Sequence, residues 1–277
     1  MSYLKPNFLA SFSGIILAAL TLAGCTSLVG GSTIDTGTAK TEYVLSGTTG
    51  PTIILEAGLG DHMGSWEGIY AQTSTFASTF AYSRPGYGQS SSTNFPPDRD
   101  GKRTAAEMAP HLKNLLAQAG AKPPYILVAH SIGSNFALQF AATYPQDVAG
   151  LVMVDGRPPK FTDACEQANA GMCRPPELML ATMPPHMAAE VRGARQFEQN
   201  PPAPSAIGHI PATFLVATQP DFLSSDRFQQ LWRQEQAQWA NQFANANRIE
   251  VTSTHYIHHK KSDIVVDAIK AMVKKVQ

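Results

Sequence analysis

The chain has 277 residues, and its 21 Lys plus Arg balance 21 Asp plus Glu, giving a formal net charge of zero at neutral pH. That balance excludes the basic footprint of a nucleic-acid binder and argues against electrostatic attachment to a membrane surface. A hydrophobic share of 43% without internal repeats suits one domain with a substantial core.

At the N-terminus, Lys5 precedes an apolar stretch over residues 8–24, centred on Ile15, Ile16, Leu17, Leu20 and Leu22. It is too short, and too diluted by Ser, Gly and Thr, to read as a membrane span, and its basic residue stands in front as in a secretory signal. The stretch ends in Leu22-Ala23-Gly24-Cys25, which resembles the lipobox of bacterial lipoproteins. That resemblance implies cleavage before Cys25 and lipidation of its thiol, hence a lipid-anchored protein of the bacterial envelope that faces the periplasm or the exterior. An ordinary signal peptide followed by a chance cysteine is the alternative. Residues 26–40, rich in Thr, Gly and Ser, read as a flexible tether. The expected division is a signal at 1–24, a lipidated Cys and tether at 25–41, and a folded domain at 42–277.

Within that domain, short apolar runs mark strands at 51–56, 78–83, 125–129, 150–154, 212–216 and 248–252. Helical patterns fall between and after them at 103–119, 132–144, 225–244 and 262–273. This alternation predicts an α/β fold with a mostly parallel, doubly wound sheet. Residues 156–210 break the rhythm with many prolines, several Met, Cys165 and Cys173. In an oxidising compartment these two cysteines are expected to pair. A zinc site would need three or four ligands, and no His cluster accompanies them.

The run Tyr125-Ile126-Leu127-Val128-Ala129-His130 stops abruptly at Ser131-Ile132-Gly133, just where a helix begins. So tight a strand-to-helix turn strains its central residue and pushes that side chain outward. The segment resembles the G-x-S-x-G nucleophile elbow of the α/β-hydrolase superfamily, with Ala129 at the first glycine. A serine acting only as helix N-cap is the competing reading. The resemblance extends from about residue 43 to 276. Ser83-Arg84-Pro85-Gly86-Tyr87-Gly88 resembles the family's DRPGYG loop, here a scaffold for the active-site floor, with Ser83 at the Asp position. Ser253-Thr254-His255-Tyr256-Ile257-His258 is similar to a GHYIH segment carrying the catalytic histidine, with Thr254 at the Gly position. Residues 156–210 occupy the place of the family's cap.

The resemblance implies Ser131 as nucleophile and His255 as its base. The third member is a carboxylate, and two are open: Asp155 at the end of the fourth strand signal, which the resemblance favours, and Asp221 shortly after the fifth. The one not used is expected to cap a helix or stabilise a turn. Oxyanion donors are expected from the backbone of Ile132 and of Leu59, in Glu56-Ala57-Gly58-Leu59-Gly60, where Ala57 replaces the family's histidine. His258 and His259 are expected to be solvated loop residues, and the side chain of His130 to point away from Ser131. His62, His111, His186 and His209 have no motif support.

These residues imply an acyl-enzyme serine hydrolase acting on carboxylic esters of modest size, with no cofactor and no metal. The Met-bearing cap suggests an apolar pocket. Epoxide and haloalkane hydrolases of the superfamily use an Asp where this chain has Ser131. The substitutions Ala57, Ala129 and Thr254 motivate a second reading, a non-catalytic envelope lipoprotein that keeps the fold as a binding module.

Overall fold

A computed structural model describes residues 28, 31–47, 49–91, 101–221 and 225–277. The expected signal peptide and Cys25 lie outside the described residues. Among the described residues eight strands form one sheet: β1 (Ser32–Asp35), β2 (Lys40–Ser46), β3 (Thr52–Glu56), β4 (Ser78–Tyr82), β5 (Tyr125–His130), β6 (Val148–Val154), β7 (Ala212–Ala217) and β8 (Ala246–Val251). Their order across the sheet is β1-β2-β4-β3-β5-β6-β7-β8. β1 and β2 run antiparallel to their neighbours, and β3 to β8 are mutually parallel.

Ten α-helices among the described residues flank the sheet or cap its carboxyl edge: α1 (Glu67–Thr73), α2 (Ala105–Ala119), α3 (Gly133–Thr143), α4 (Phe161–Gln167), α5 (Glu177–Leu180), α6 (Pro185–Gln199), α7 (Pro204–Ile207), α8 (Asp226–Ala240), α9 (Ile257–Lys260) and α10 (Ser262–Val276). No helix among the described residues is long and apolar enough to cross a membrane.

The inner parallel strands β3 to β7 are buried on both faces, which explains their continuous rather than alternating apolar sequence, whereas edge strand β8 is largely exposed. Side chains of period two divide between two cores. Ile54, Phe80, Leu127, Met153 and Phe214 point to one, beside Leu112 and Leu115 of α2, Phe136 and Phe140 of α3, and Trp239 of α8. Ile53, Leu55, Val128, Val154 and Leu215 point to the other, beside Ile69 of α1 and Val265, Ile269 and Met272 of α10. Each such side chain stabilises the fold by about 1.5–3 kcal/mol. α2 opens with a reciprocal capping box between Thr104 and Glu107 and stops at Gly120, whose φ of +78° suits the left-handed stop.

The expected tether is corrected in part. Residues 32–35 are a strand paired to β2, joined through Gly37 at φ +82°. Three contacts bring this hairpin onto α2. Ile34 packs against the first core, and Asn114 Nδ2 donates to Thr36 O at 3.1 Å. The Thr38 and Thr41 hydroxyls lie 3.1 and 3.3 Å from His111 Nδ1 and Nε2.

Burial, reinforced by the positive charge of Arg103, pushes His111 down to about 4. The unfolded chain therefore takes up a proton between about pH 6.5 and 4 that the native protein refuses, so stability falls as pH drops through that window. One such group contributes a slope of about 1.4 kcal/mol per pH unit. Urea denaturation at pH 7.5 and pH 5 is expected to show this loss, and His111→Gln to reduce the difference.

Candidate active site

Ser131 stands at the corner between β5 and α3 with φ +53°, a left-handed conformation that a non-glycine residue adopts only when its surroundings impose it. Its carbonyl is the anchor, accepting from Ser134 N at 3.1 Å, Arg157 N at 2.9 Å and the Ser134 hydroxyl at 2.7 Å. Gly133 is required on steric grounds. A Cβ there would stand 2.5 Å from Ala57 O and 2.8 Å from Glu56 O, because α3 starts directly against the end of β3. Ala129 is fully buried on β5, so a methyl group is accommodated at the other motif position.

Asp155 follows β6, also at positive φ (+44°). Its Oδ1 accepts from Gln236 Nε2 at 2.8 Å, Ala217 N at 3.1 Å and Trp232 Nε1 at 3.2 Å. Its Oδ2 lies 2.6 Å from His255 Nδ1, in the loop after β8. A carboxylate only accepts, so Nδ1 carries the proton and Nε2 of a neutral ring keeps its lone pair. Burial disfavours the charged ring, but the hydrogen bond and charge of Asp155, helped by the charges of Asp221 and Asp61, hold the His255 pKa above its ordinary value.

Of the two candidate carboxylates, then, the structure brings Asp155 to the imidazole. Asp221 lines the same cavity at the level of Phe228 and Trp232. It does not cap α8, whose N-cap is Ser225.

Two cavities meet at Ser131. One, of about 160 Å³, is lined by Leu59, Ser131, Ile132, Arg157, Glu198 and residues of the cap, and so brings both expected oxyanion donors beside the serine. The other, of about 210 Å³, holds Ser131, Asp155, Arg157, Asp221, Trp232 and His255. The first cavity mixes apolar Leu59, Ile132, Pro175, Val191 and Ala194 with charged Arg157, Arg174, Arg195 and Glu198, so the apolar pocket expected from the cap is there but carries charge at its walls. The cap methionines do not build it: Met172 and Met179 are 64% and 40% exposed, whereas Phe161, Leu180 and Phe197 are buried. Arg157, two residues after Asp155, lines both cavities, and its half-buried charge draws in matching polar groups: Glu198 Oε1 at 2.8 Å and the Thr162 hydroxyl at 2.8 Å. Cys165 and Cys173 form a disulfide with Cα atoms 5.6 Å apart, tying α4 to the loop that walls the first cavity.

The oxyanion turn is braced from below by Arg84, which is 1% exposed. Nη1 donates to Glu56 Oε1 at 2.8 Å and Ala57 O at 2.6 Å, and Nη2 to Gly58 O at 2.9 Å. Nε and Nη2 form a fork on Glu190 of cap helix α6, each at 2.9 Å. Tyr87 also donates to Glu190, at 2.8 Å, and Tyr82 to Glu56. Burial pushes the Glu56 carboxyl above its ordinary pKa despite Arg84.

Among the remaining histidines, His62 accepts from Gly64 N and caps a short helical turn, while His186 packs edge-on to Tyr87. His130 is buried, with Nε2 3.2 Å from His255 O. His258 overturns the expectation of a solvated loop residue. It is 3% exposed, because α9 folds back and stacks it on Trp66 with ring centroids 4.4 Å apart. His259 remains exposed. Sequence reasoning missed Gln236, Trp232, Glu190 and Glu198. All four sit on amphipathic helices, where a polar residue carries no local sign that it turns inward.

Residues 51–180 match the family described as alpha/beta hydrolase fold. The uncharacterised Bacillus subtilis protein YqjL is 27% identical over 241 residues, 86% of this chain and 88% of that protein. Among solved structures, a thermophilic esterase from Thermogutta terrifontis aligns with TM-score 0.61 and 19% identity, covering 86% of this chain and 94% of that one. A proposed epoxide hydrolase from Pseudomonas aeruginosa aligns with TM-score 0.66 and 14% identity, covering 90% and 97%.

Breaking a buried ion pair costs about 3–5 kcal/mol because the partner charge is left uncompensated. Arg84→Met is expected to lose stability on that scale in urea denaturation. Half-buried Arg248, whose Nη2 pairs with exposed Glu250, is expected to lose under about 1 kcal/mol when changed in the same way.

Proposed function

We propose that this chain, whose residues 51–180 match the family described as alpha/beta hydrolase fold and whose sheet has that fold, is a serine hydrolase that cleaves carboxylic esters through an acyl-enzyme. The observation that carries the reading is a strained serine sharing a cavity with a histidine that is itself hydrogen-bonded to a buried carboxylate. Ser131 Oγ attacks the ester carbonyl and passes its proton to His255 Nε2. Asp155 holds Nδ1–H and stabilises the imidazolium. The backbone N–H groups of Leu59 and Ile132 bind the oxyanion. The tetrahedral adduct collapses, the alcohol leaves with the proton from Nε2, and a water activated by the same nitrogen hydrolyses the acyl-enzyme.

Two modest cavities, whose walls mix apolar and charged side chains, favour short acyl groups over fatty chains. An epoxide-opening reaction of the superfamily's kind would need a carboxylate nucleophile at the elbow, where this chain has a hydroxyl. The binding-module reading rests on Ala57, Ala129 and Thr254. The first two leave the turn and the elbow packed, which weakens it.

Kinetics on p-nitrophenyl esters test the proposal. Ser131→Ala and His255→Ala are expected to lower kcat about 10⁴-fold or more, Asp155→Asn about 10³–10⁴-fold, and Asp221→Asn less than about tenfold. Acetate and butyrate esters are expected to exceed palmitate in kcat/KM. Wild-type rates no higher than those of Ser131→Ala would leave the binding module as the better account.

The same proposal places the protein on the bacterial envelope, anchored through a lipid on Cys25. The Cys165–Cys173 disulfide supports an oxidising compartment. Incorporation of radiolabelled palmitate that disappears in Cys25→Ser is the expected result.

A further inference from the structure

Behind the candidate triad lies a second cluster that the proposed reaction does not use. The His130 ring has its centroid 4.5 Å from those of His255 and His258. His130 and His258 are 1% and 3% exposed. Asp61, His130 and His258 each offer a ligand atom, and these atoms lie within 4.8 Å of one another.

The polar groups here are not satisfied by the protein. Asp61 Oδ2, His130 Nδ1 and both ring nitrogens of His258 are buried without a hydrogen-bond partner. The His130 tautomer sharpens the point. Its Nε2 lies 3.2 Å from the His255 carbonyl, which can only accept, so Nε2 carries the proton and Nδ1 presents a lone pair. That lone pair faces Asp61 Oδ2 at 3.7 Å, too far for a hydrogen bond and with acceptors on both sides. A ring nitrogen held in one tautomer by a backbone carbonyl, with the other nitrogen left open, is the usual outer-shell arrangement of a metal-binding histidine. The space is kept open by Gly58, where a Cβ would stand 2.7 Å from His130 Nδ1 and 3.2 Å from Asp61 Oδ2.

We propose that Asp61, His130 and His258 bind a divalent transition metal, zinc in the first instance. Two imidazoles and one carboxylate suit the borderline-soft Zn²⁺ rather than Mg²⁺ or Ca²⁺, with solvent as fourth ligand. Bonds of about 2.0–2.2 Å put tetrahedral ligand atoms about 3.2–3.6 Å apart, so the three side chains draw together by roughly an ångström on binding. Each ligand stands on a different segment of the candidate site: Asp61 in the turn after β3, His130 at the end of β5 and His258 in α9. Asp61 is two residues after Leu59, His130 directly precedes Ser131, and His258 is three residues after His255. The metal is thus a positioning element that ties the oxyanion turn, the elbow and the histidine loop together without touching substrate. No sequence pattern announces the site, since its ligands come from three distant segments with no ligand spacing.

The test uses the untagged full chain, stripped with a chelator and titrated with Zn²⁺ and Co²⁺ in the absence of substrate. Its outcome is therefore independent of whether Ser131 is a nucleophile. One equivalent of Zn²⁺ is expected to bind with a Kd of about a micromolar or below. It is expected to raise the melting temperature by roughly 5–10 °C at a hundredfold excess over Kd, and Co²⁺ to give the intense visible bands of a four-coordinate site. Asp61→Asn and His258→Asn are each expected to weaken binding at least about 100-fold, whereas Ser131→Ala leaves it unchanged. Two ligand variants are named so that misfolding of one, judged by circular dichroism, leaves the other decisive. Absence of stoichiometric Zn²⁺ binding to the folded wild type, or unchanged binding in a folded ligand variant, would overturn the proposal. So would a crystal structure from zinc-containing solution with only a water at this position.

Discussion

One buried guanidinium holds the site together. All five N–H donors of Arg84 are occupied: two on Glu190, one on Glu56, and one each on the carbonyls of Ala57 and Gly58. Glu56 ends β3, the carbonyls belong to the oxyanion turn, and Glu190 lies on cap helix α6. Sheet, turn and cap are therefore fixed relative to one another by one planar, always charged group, whose rigid fork a lysine would not reproduce. Two carboxylates around one cation leave a residual negative charge. Arg103, 3.7 Å from Glu190, offsets it, and Tyr82 and Tyr87 supply neutral donors to the same carboxylates. A fully satisfied network of this kind specifies one arrangement, because each partly satisfied alternative strands a charge in the interior.

On that base, local strain does the positioning. Ser131 and Asp155 both sit at positive φ, one after β5 and the other after β6, adjacent parallel strands. Each residue ends a strand by turning sharply, and each turn is held by main-chain hydrogen bonds, from Ser134 and Arg157 in one case and from Asp155 N to Leu215 O in the other. The sheet thus presents the serine and the carboxylate from neighbouring carboxyl ends, where loops converge and ligands bind in open α/β sheets. His255, in the loop after β8, meets Asp155 and lines the same cavity as Ser131, with Trp232 packed edge-on against its ring.

What could be read from the sequence follows from where the determining interactions lie. The parallel strands, the elbow and the helices α2, α3, α8 and α10 are specified locally, by continuous apolar runs and by the steric demand at Gly133, and they stand within a few residues of their expected places, whereas α6 inside the Pro-rich segment was not foreseen. The β1–β2 hairpin was missed because its pairing depends on Thr38, Thr41 and Ile34 meeting α2, more than sixty residues on. The burial of His258 and the inward turn of Glu190 and Glu198 are tertiary events of the same sort. A polar side chain in a loop or on an amphipathic helix reads as solvated until its buried partner is known. The pairing of His255 with Asp155 rather than Asp221 was open for a related reason. Both carboxylates follow strands, and only the three donors converging on Asp155 distinguish them.

The central claim is that Ser131 is activated by His255. Incubating the folded protein with a fluorophosphonate and mapping the modified peptide by mass spectrometry tests it most directly. The account predicts a single phosphonylated residue, Ser131, with labelling abolished in His255→Ala. A folded wild type that stays unlabelled, or a label on any other residue, would contradict it.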